Sequence, residues 1–140
     1  MDRIRIQAGP YEFEARLEEA LTPKTCAVFA GMLPYRAQLI HVRWSGEACW
    51  IPLGGRDLGL GHENPTSYPA PGDIILYPGG ISEAEILLAY GAVSFASKAG
   101  PLAGNHFLTV TAGREHLPAL GKLVLWNGAQ DILFERIQAG

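Results

Sequence analysis

The sequence predicts a mainly β domain: a closed barrel of about eight short strands, with one clear helix and a second short helix covering its ends. Three observations lead there. Apolar and polar residues alternate over short runs, the signature of strands with one buried face. The 17 glycines and 10 prolines stand singly or in pairs between those runs, as turns between many short strands require. Charged residues make up only 18% of the chain, too few to guard exposed sheet edges, and closure removes the edges altogether. Nothing in the 140 residues repeats or shifts in composition, so a single domain over residues 1–140 is expected.

The elements follow in order. Residues 3–7 set Ile4 and Ile6 against Arg3, Arg5 and Gln7, residues 11–17 alternate again, and Gly9-Pro10 between them turns the chain into a hairpin. Thr22 suits a helix cap and Pro23 the first helical position, whose N–H has no partner in any case. A helix over 23–33 then gathers Cys26, Phe29, Ala30 and Leu33 on one apolar face, and Pro34 stops it. Two strands follow at 37–45 and 48–53, joined tightly at Ser45-Gly46. Ile40, Val42 and Trp44 share one face of the first; His41, Arg43 and Ser45 share the other.

Residues 54–68 form the longest stretch without a helix or strand pattern, and a loop of that length in a small domain is usually functional or mobile. Strands are expected at 73–77, between Pro71-Gly72 and Pro78-Gly79-Gly80, and at 85–90. A link of small residues over 92–105 leads to a strand at 107–111. Leu117, Leu120, Leu123 and Val124 support a short helix over 115–126, and 131–137 is a closing strand.

Composition narrows the function. A net charge of −3 with a pI near 5.8, and no basic run, excludes a phosphate-binding surface, so no nucleic acid is expected. No apolar stretch approaches the roughly 18 residues that span a bilayer. Asp2, Arg3 and Arg5 occupy the place of a signal peptide's apolar core, so the expectation is a cytoplasmic protein without membrane contact. Cys26 and Cys49 form no CxxC pair and read as small buried hydrophobes.

Residues 22–29, Thr-Pro-Lys-Thr-Cys-Ala-Val-Phe, resemble the cyclophilin helix that follows an opening hairpin. The Phe-His-Arg strand of true cyclophilins is echoed only by His41-Val42-Arg43, and their Phe-Met-x-Gln-Gly-Gly-Asp strand is absent, so prolyl isomerase activity does not come with the likeness. Over nearly the whole chain the sequence resembles a bacterial cyclophilin-like family of unknown function, DUF3830. The resemblance rests on residues 41–47 (His-Val-Arg-Trp-Ser-Gly-Glu), Glu63-Asn64, Pro71-Gly72-Asp73-Ile74 running to Tyr77-Pro78, Tyr90-Gly91, Gly104-Asn105 and Gly128-Ala129. It implies a closed cyclophilin-like β-barrel and a homo-oligomer, a dimer, with no established reaction.

The residues themselves suggest a ligand site from His41, Arg43, Ser45, Glu63, Asn64 and Tyr77. Arg43 offers a planar fork of donors to a carboxylate or amide oxygen, His41 exchanges a proton near neutral pH, and Glu63 and Asn64 reach over from the long loop. The expectation is a small carboxylate- or amide-bearing metabolite bound on the barrel face. The alternative is an isomerase or hydrolase with His41 or Glu63 as acid or base; no catalytic residue is assigned. A simpler reading pairs Arg43 with Glu47 or Glu63 in solvent and leaves Asn64 bonding its own loop. No cofactor is expected, because Gly59-Leu60-Gly61 lacks the third glycine of a dinucleotide loop. No metal is expected either: His62, His106 and His116 show no ligand spacing, and neither Ser45 nor Cys49 sits in a nucleophile motif. Trp44, Trp50 and Trp126 read as core or interface.

Overall fold

A computed structural model describes residues 3–137. The elements are β1 (Arg3–Ala8), β2 (Tyr11–Leu17), α1 (Pro23–Ala30), β3 (Tyr35–His41), β4 (Gly46–Gly54), β5 (Pro65–Thr66), β6 (Asp73–Tyr77), β7 (Ala84–Val93), β8 (Ala96–Ser97), β9 (Gly100–Pro101), β10 (Gly104–Ala112), α2 (Leu117–Asn127) and β11 (Gln130–Ile137). Eight strands close on themselves in the order β2-β1-β11-β3-β4-β7-β6-β10, with β10 pairing back to β2 and the short β5 added alongside β10. Every pairing is antiparallel.

The alternation read in the opening hairpin is what fills the barrel. Ile4, Ile6, Phe13, Ala15 and Leu17 all point inward and are buried. In the register Ile6 lies opposite Phe13 on one side and Phe134 on the other, so three neighbouring strands deliver side chains to one layer. Phe29 of α1 enters the same core edge-on to Phe107 and Phe134, at 5.0 and 5.3 Å between ring centres.

The helices sit at opposite ends. α1 follows the last residue of β2 and covers the end where β3 begins and β4 finishes. α2 leads into β11 and lies at the other end, against β3, β4 and β7. Leu117, Leu120 and Val124 are buried there, and Gly121 is needed because a Cβ at that place would overlap the Tyr90 ring. No helix of the described residues is long and apolar enough to cross a membrane.

A second, smaller core lies outside the barrel wall. Ile75, Tyr77, Leu87 and Ala48 face outward from β6, β7 and β4, and the excursion 94–103, which carries the β8–β9 hairpin, covers them with Phe95 and Leu102. The small-residue link over 92–105 is therefore an ordered flap.

Two boundaries differ from expectation in ways that matter for function. The strand expected over 37–45 ends at His41, and Arg43–Ser45 form a single 3₁₀ turn. Gly46 then leaves the turn with φ +110, where a Cβ would meet the Ala92 carbonyl. The helix expected to reach 33 stops at Ala30, and Thr22 does not cap it: its hydroxyl donates to the Glu18 carbonyl instead.

Candidate functional site

The residues singled out in the sequence fall into separate groups. His41, at the end of β3, lies 2.6 Å through Nε2 from the Tyr90 hydroxyl, while its buried Nδ1 has no hydrogen-bond partner. Burial, and then the Arg43 charge, lower its pKa, so the ring is neutral at neutral pH. Arg43 stands on the 3₁₀ turn, exposed and without an ion pair among the described residues. Glu47, its nearest candidate partner in sequence, accepts the Ala92 N–H. Ser45 is buried: its hydroxyl donates to the Ala96 carbonyl at 3.2 Å and accepts the Ala96 N–H at 3.1 Å, pinning the flap. The 3₁₀ turn breaks period-two geometry, so these three side chains do not share a strand face.

Glu63 belongs to the other end of the barrel. Its carboxylate accepts the backbone N–H groups of Lys24 (3.1 Å) and Thr25 (2.7 Å) and the Thr25 hydroxyl (2.7 Å), and so caps α1 from the long loop. Desolvation works to raise its pKa, but the Thr25 and Lys24 hydrogen bonds and the Lys24 charge outweigh it and hold the group below its ordinary value. Fully buried Asn105 completes the network. It accepts the Glu63 N–H at 2.9 Å and donates to the Gly61 carbonyl and the Thr25 hydroxyl. Asn64, at φ +50, donates to the His106 carbonyl. The structure does not bring Arg43 and Glu63 together, because one follows β3 at the α2 end and the other abuts α1.

Tyr77 forms a third group. It is buried in the outer core beside Phe95, and its hydroxyl oxygen accepts the N–H groups of Ile81 (3.0 Å) and Ser82 (3.3 Å). It thereby shapes the turn between β6 and β7.

That turn walls a concavity of about 520 Å³ on the outer barrel face. Trp50 of β4 and Glu85 of β7 line its base; Trp44 from the 3₁₀ turn, residues 81–83 and residues 96–99 line its sides. The two indoles meet nearly perpendicular, with 5.9 Å between ring centres and 82° between planes. Trp44 is 60% exposed and Ile81 72%, so the walls present apolar surface to solvent.

Glu85 is the residue the sequence reading missed. It is only 4% exposed, yet no hydrogen bond or ion pair reaches its carboxyl among the described residues. Burial, and then the Glu83 charge, push its pKa up to about 8. Its signal lay in view as a lone acid inside the apolar run Ala-Glu-Ile-Leu-Leu-Ala at 84–89. The cysteines offer no competing chemistry, since burial pushes Cys49 up to about 12 and raises Cys26 as well. No group of three or more His, Cys, Asp or Glu side chains placed to hold a metal occurs among the described residues.

A closed eight-stranded antiparallel barrel with a helix at each end is a cyclophilin-like barrel fold. The family model described as "Protein of unknown function (DUF3830)" matches residues 4–135, and the chain belongs to that family. No curated protein matches it in sequence. Among solved structures it is similar to McbB in complex with tryptophan, with a TM-score of 0.69 and 16% identity over 98% of this chain; it spans 45% of that protein. It is also similar to the hypothetical protein AF2241 from Archaeoglobus fulgidus, with a TM-score of 0.66 and 18% identity, over 97% of this chain and 95% of the other. A third likeness is to a cyclophilin-type peptidyl-prolyl cis-trans isomerase of Cryptosporidium parvum, determined in the presence of the dipeptide Ala-Pro. Its TM-score is 0.60 and its identity 14%, over 99% of both chains. At these identities the likeness is one of fold.

Proposed function

We propose that this protein binds a small organic molecule in the outer pocket, with Glu85 as the polar anchor and Trp44 and Trp50 as the apolar walls. One observation carries the reading: a glutamate only 4% exposed, with no hydrogen-bond or ion-pair partner among the described residues, lines a concavity of ligand size. The carboxyl oxygens keep only slight contact with solvent, and a bound ligand that pairs with them takes the place of that water. Ser45 and Tyr77 keep a part in this reading as positioning residues, since one holds the flap and the other the 81–82 turn. His41, Arg43, Glu63 and Asn64, which the sequence suggests as contacts, do not line this pocket. Tryptophan and Ala-Pro, the small molecules named with two fold relatives, are of suitable size; the reading rests on this chain's own residues.

The test is chemical-shift mapping with a panel of benzamide, benzoate and benzyltrimethylammonium. Shifts centred on Trp50, Glu85 and Ala96 are expected. Shifts centred on Arg43 or Glu63 would restore the arrangement suggested by the sequence, and a panel that moves no resonance sinks the pocket.

A second reading is an enzyme in which Glu85 itself serves as general acid, because a carboxyl protonated up to about pH 8 suits that role. In that case Glu85→Gln would abolish turnover of an identified substrate while leaving its binding intact. The dimer that the family resemblance implies is proposed separately, and light scattering on the eluting protein decides it.

A further inference from the structure

We infer that this pocket, taken as the binding site proposed above, selects an organic cation: an ammonium group carried on a flat apolar body. The charged and titratable groups around Glu85 point that way. Glu83 lies two residues before it and lines the same concavity. From the flanking strands, Pro52 of β4 and Tyr77 of β6 stand opposite Glu85 in register; Pro52 carries no donor, and no hydrogen bond joins the Tyr77 hydroxyl to the carboxyl. Lys98, at the tip of the β8–β9 hairpin, lines the rim but forms no ion pair with either acid. The pocket thus holds one acid at its base and a second on its exposed side, and neither is paired with Lys98.

The indoles supply the other half of the recognition. A cation is drawn to the negative face of an aromatic ring, most strongly to tryptophan and most strongly where water is displaced. Trp44 and Trp50 meet edge to face with their planes 82° apart, both line the pocket with Glu85, and Trp44 is 60% exposed. An anionic ligand would meet the repulsion of Glu83, joined by Glu85 once that carboxyl ionises above about pH 8. A neutral amide would pair with protonated Glu85, whereas a cation pairs with ionised Glu85, and the two are separated by pH. Cation binding releases the Glu85 proton, so affinity rises with pH by up to about tenfold per unit. The rise levels off above about pH 8.

The experiment is calorimetric titration of the intact chain with benzyltrimethylammonium, whose charge does not titrate, beside benzamide and benzoate. The expected result is preferential binding of the cation, with affinity rising and then levelling with pH, and proton release seen as a dependence of the heat on buffer. Glu85→Gln should weaken the cation at least tenfold at high pH and flatten the profile. Melting of the variant at the same pH shows that it is folded. Lys98→Ala, which removes a like charge from the rim, should tighten binding severalfold. Benzamide bound in preference, with affinity falling as pH rises, overturns the cation inference and leaves the binding site standing. Absence of binding by all three compounds overturns both.

Discussion

Two glutamates in this barrel have opposite fates, and the contrast separates architecture from function. Glu63 sits at the α1 end with three donors on its carboxylate, and its pKa is held below the ordinary value. Glu85 is buried in the outer wall with no donor, and its pKa is raised to about 8. The first is satisfied by the chain itself and needs no ligand. The second is costly to the fold on its own, and such a cost persists at sites where something else completes the group.

The largest effect that would test this contrast is the pH dependence of stability. Between about pH 4.5 and about pH 8 the folded chain keeps a proton on Glu85 that the unfolded chain has lost, so this group's contribution to stability falls as pH rises and then levels. Glu85→Gln should abolish that fall, and its stability relative to the parent should improve by up to about 5 kcal/mol from acid to alkaline pH. Denaturant melts across that range measure it. Parallel pH profiles for parent and variant would show that Glu85 is solvated or partnered, and the contrast would collapse.

Next in size is the network behind Glu63. Asn105→Ala strips three hydrogen bonds from a buried site and should cost about 2–3 kcal/mol, read as an earlier denaturant midpoint. Glu63→Gln keeps an acceptor but loses its charge at the helix start, a change of about 1 kcal/mol. The sign of its pH dependence is opposite to that of Glu85. The stability due to ionised Glu63 is present above about pH 4.5 and is lost as pH falls through the lower folded value. The smallest effect is expected for Ser45→Ala, which frees one side of the flap at about 1 kcal/mol. Its mark is faster amide exchange at Ala96, with the barrel strands unchanged.

What the sequence discloses follows the range of the interactions concerned. The hairpin at Gly9, the helix begun at Pro23 and the barrel itself are legible because alternation, turn residues and a helix-starting proline act locally. The strand over-reaches to Ser45 because Ile40, Val42 and Trp44 keep the alternation; in the structure Val42 alone is buried, while Ile40 and Trp44 are exposed. Thr22 satisfies every local rule for a cap and loses the place to Glu63, which lies 38 residues from Thr25 and reaches it only through the fold. The pairing of Glu63 with Arg43 fails for the same reason: nothing in either segment states at which end of a barrel it will lie. Glu85 differs, because an acid within an apolar run is visible without any fold, and burial on both faces of β7 is what gives it meaning.

The outer core has a consequence for how this protein can change. Phe95 and Leu102 are the flap's own anchors on the wall, joined to each other by the Leu102 N–H to Phe95 carbonyl bond, while the barrel's closure runs through β2 and β10. The replaceable part of segment 94–103 is therefore its exposed tip: Lys98 and Ala99 can be lengthened or recharged without touching the core anchors or a strand that closes the barrel. A change at that tip redraws one wall of the concavity and leaves the strands that hold the fold as they are.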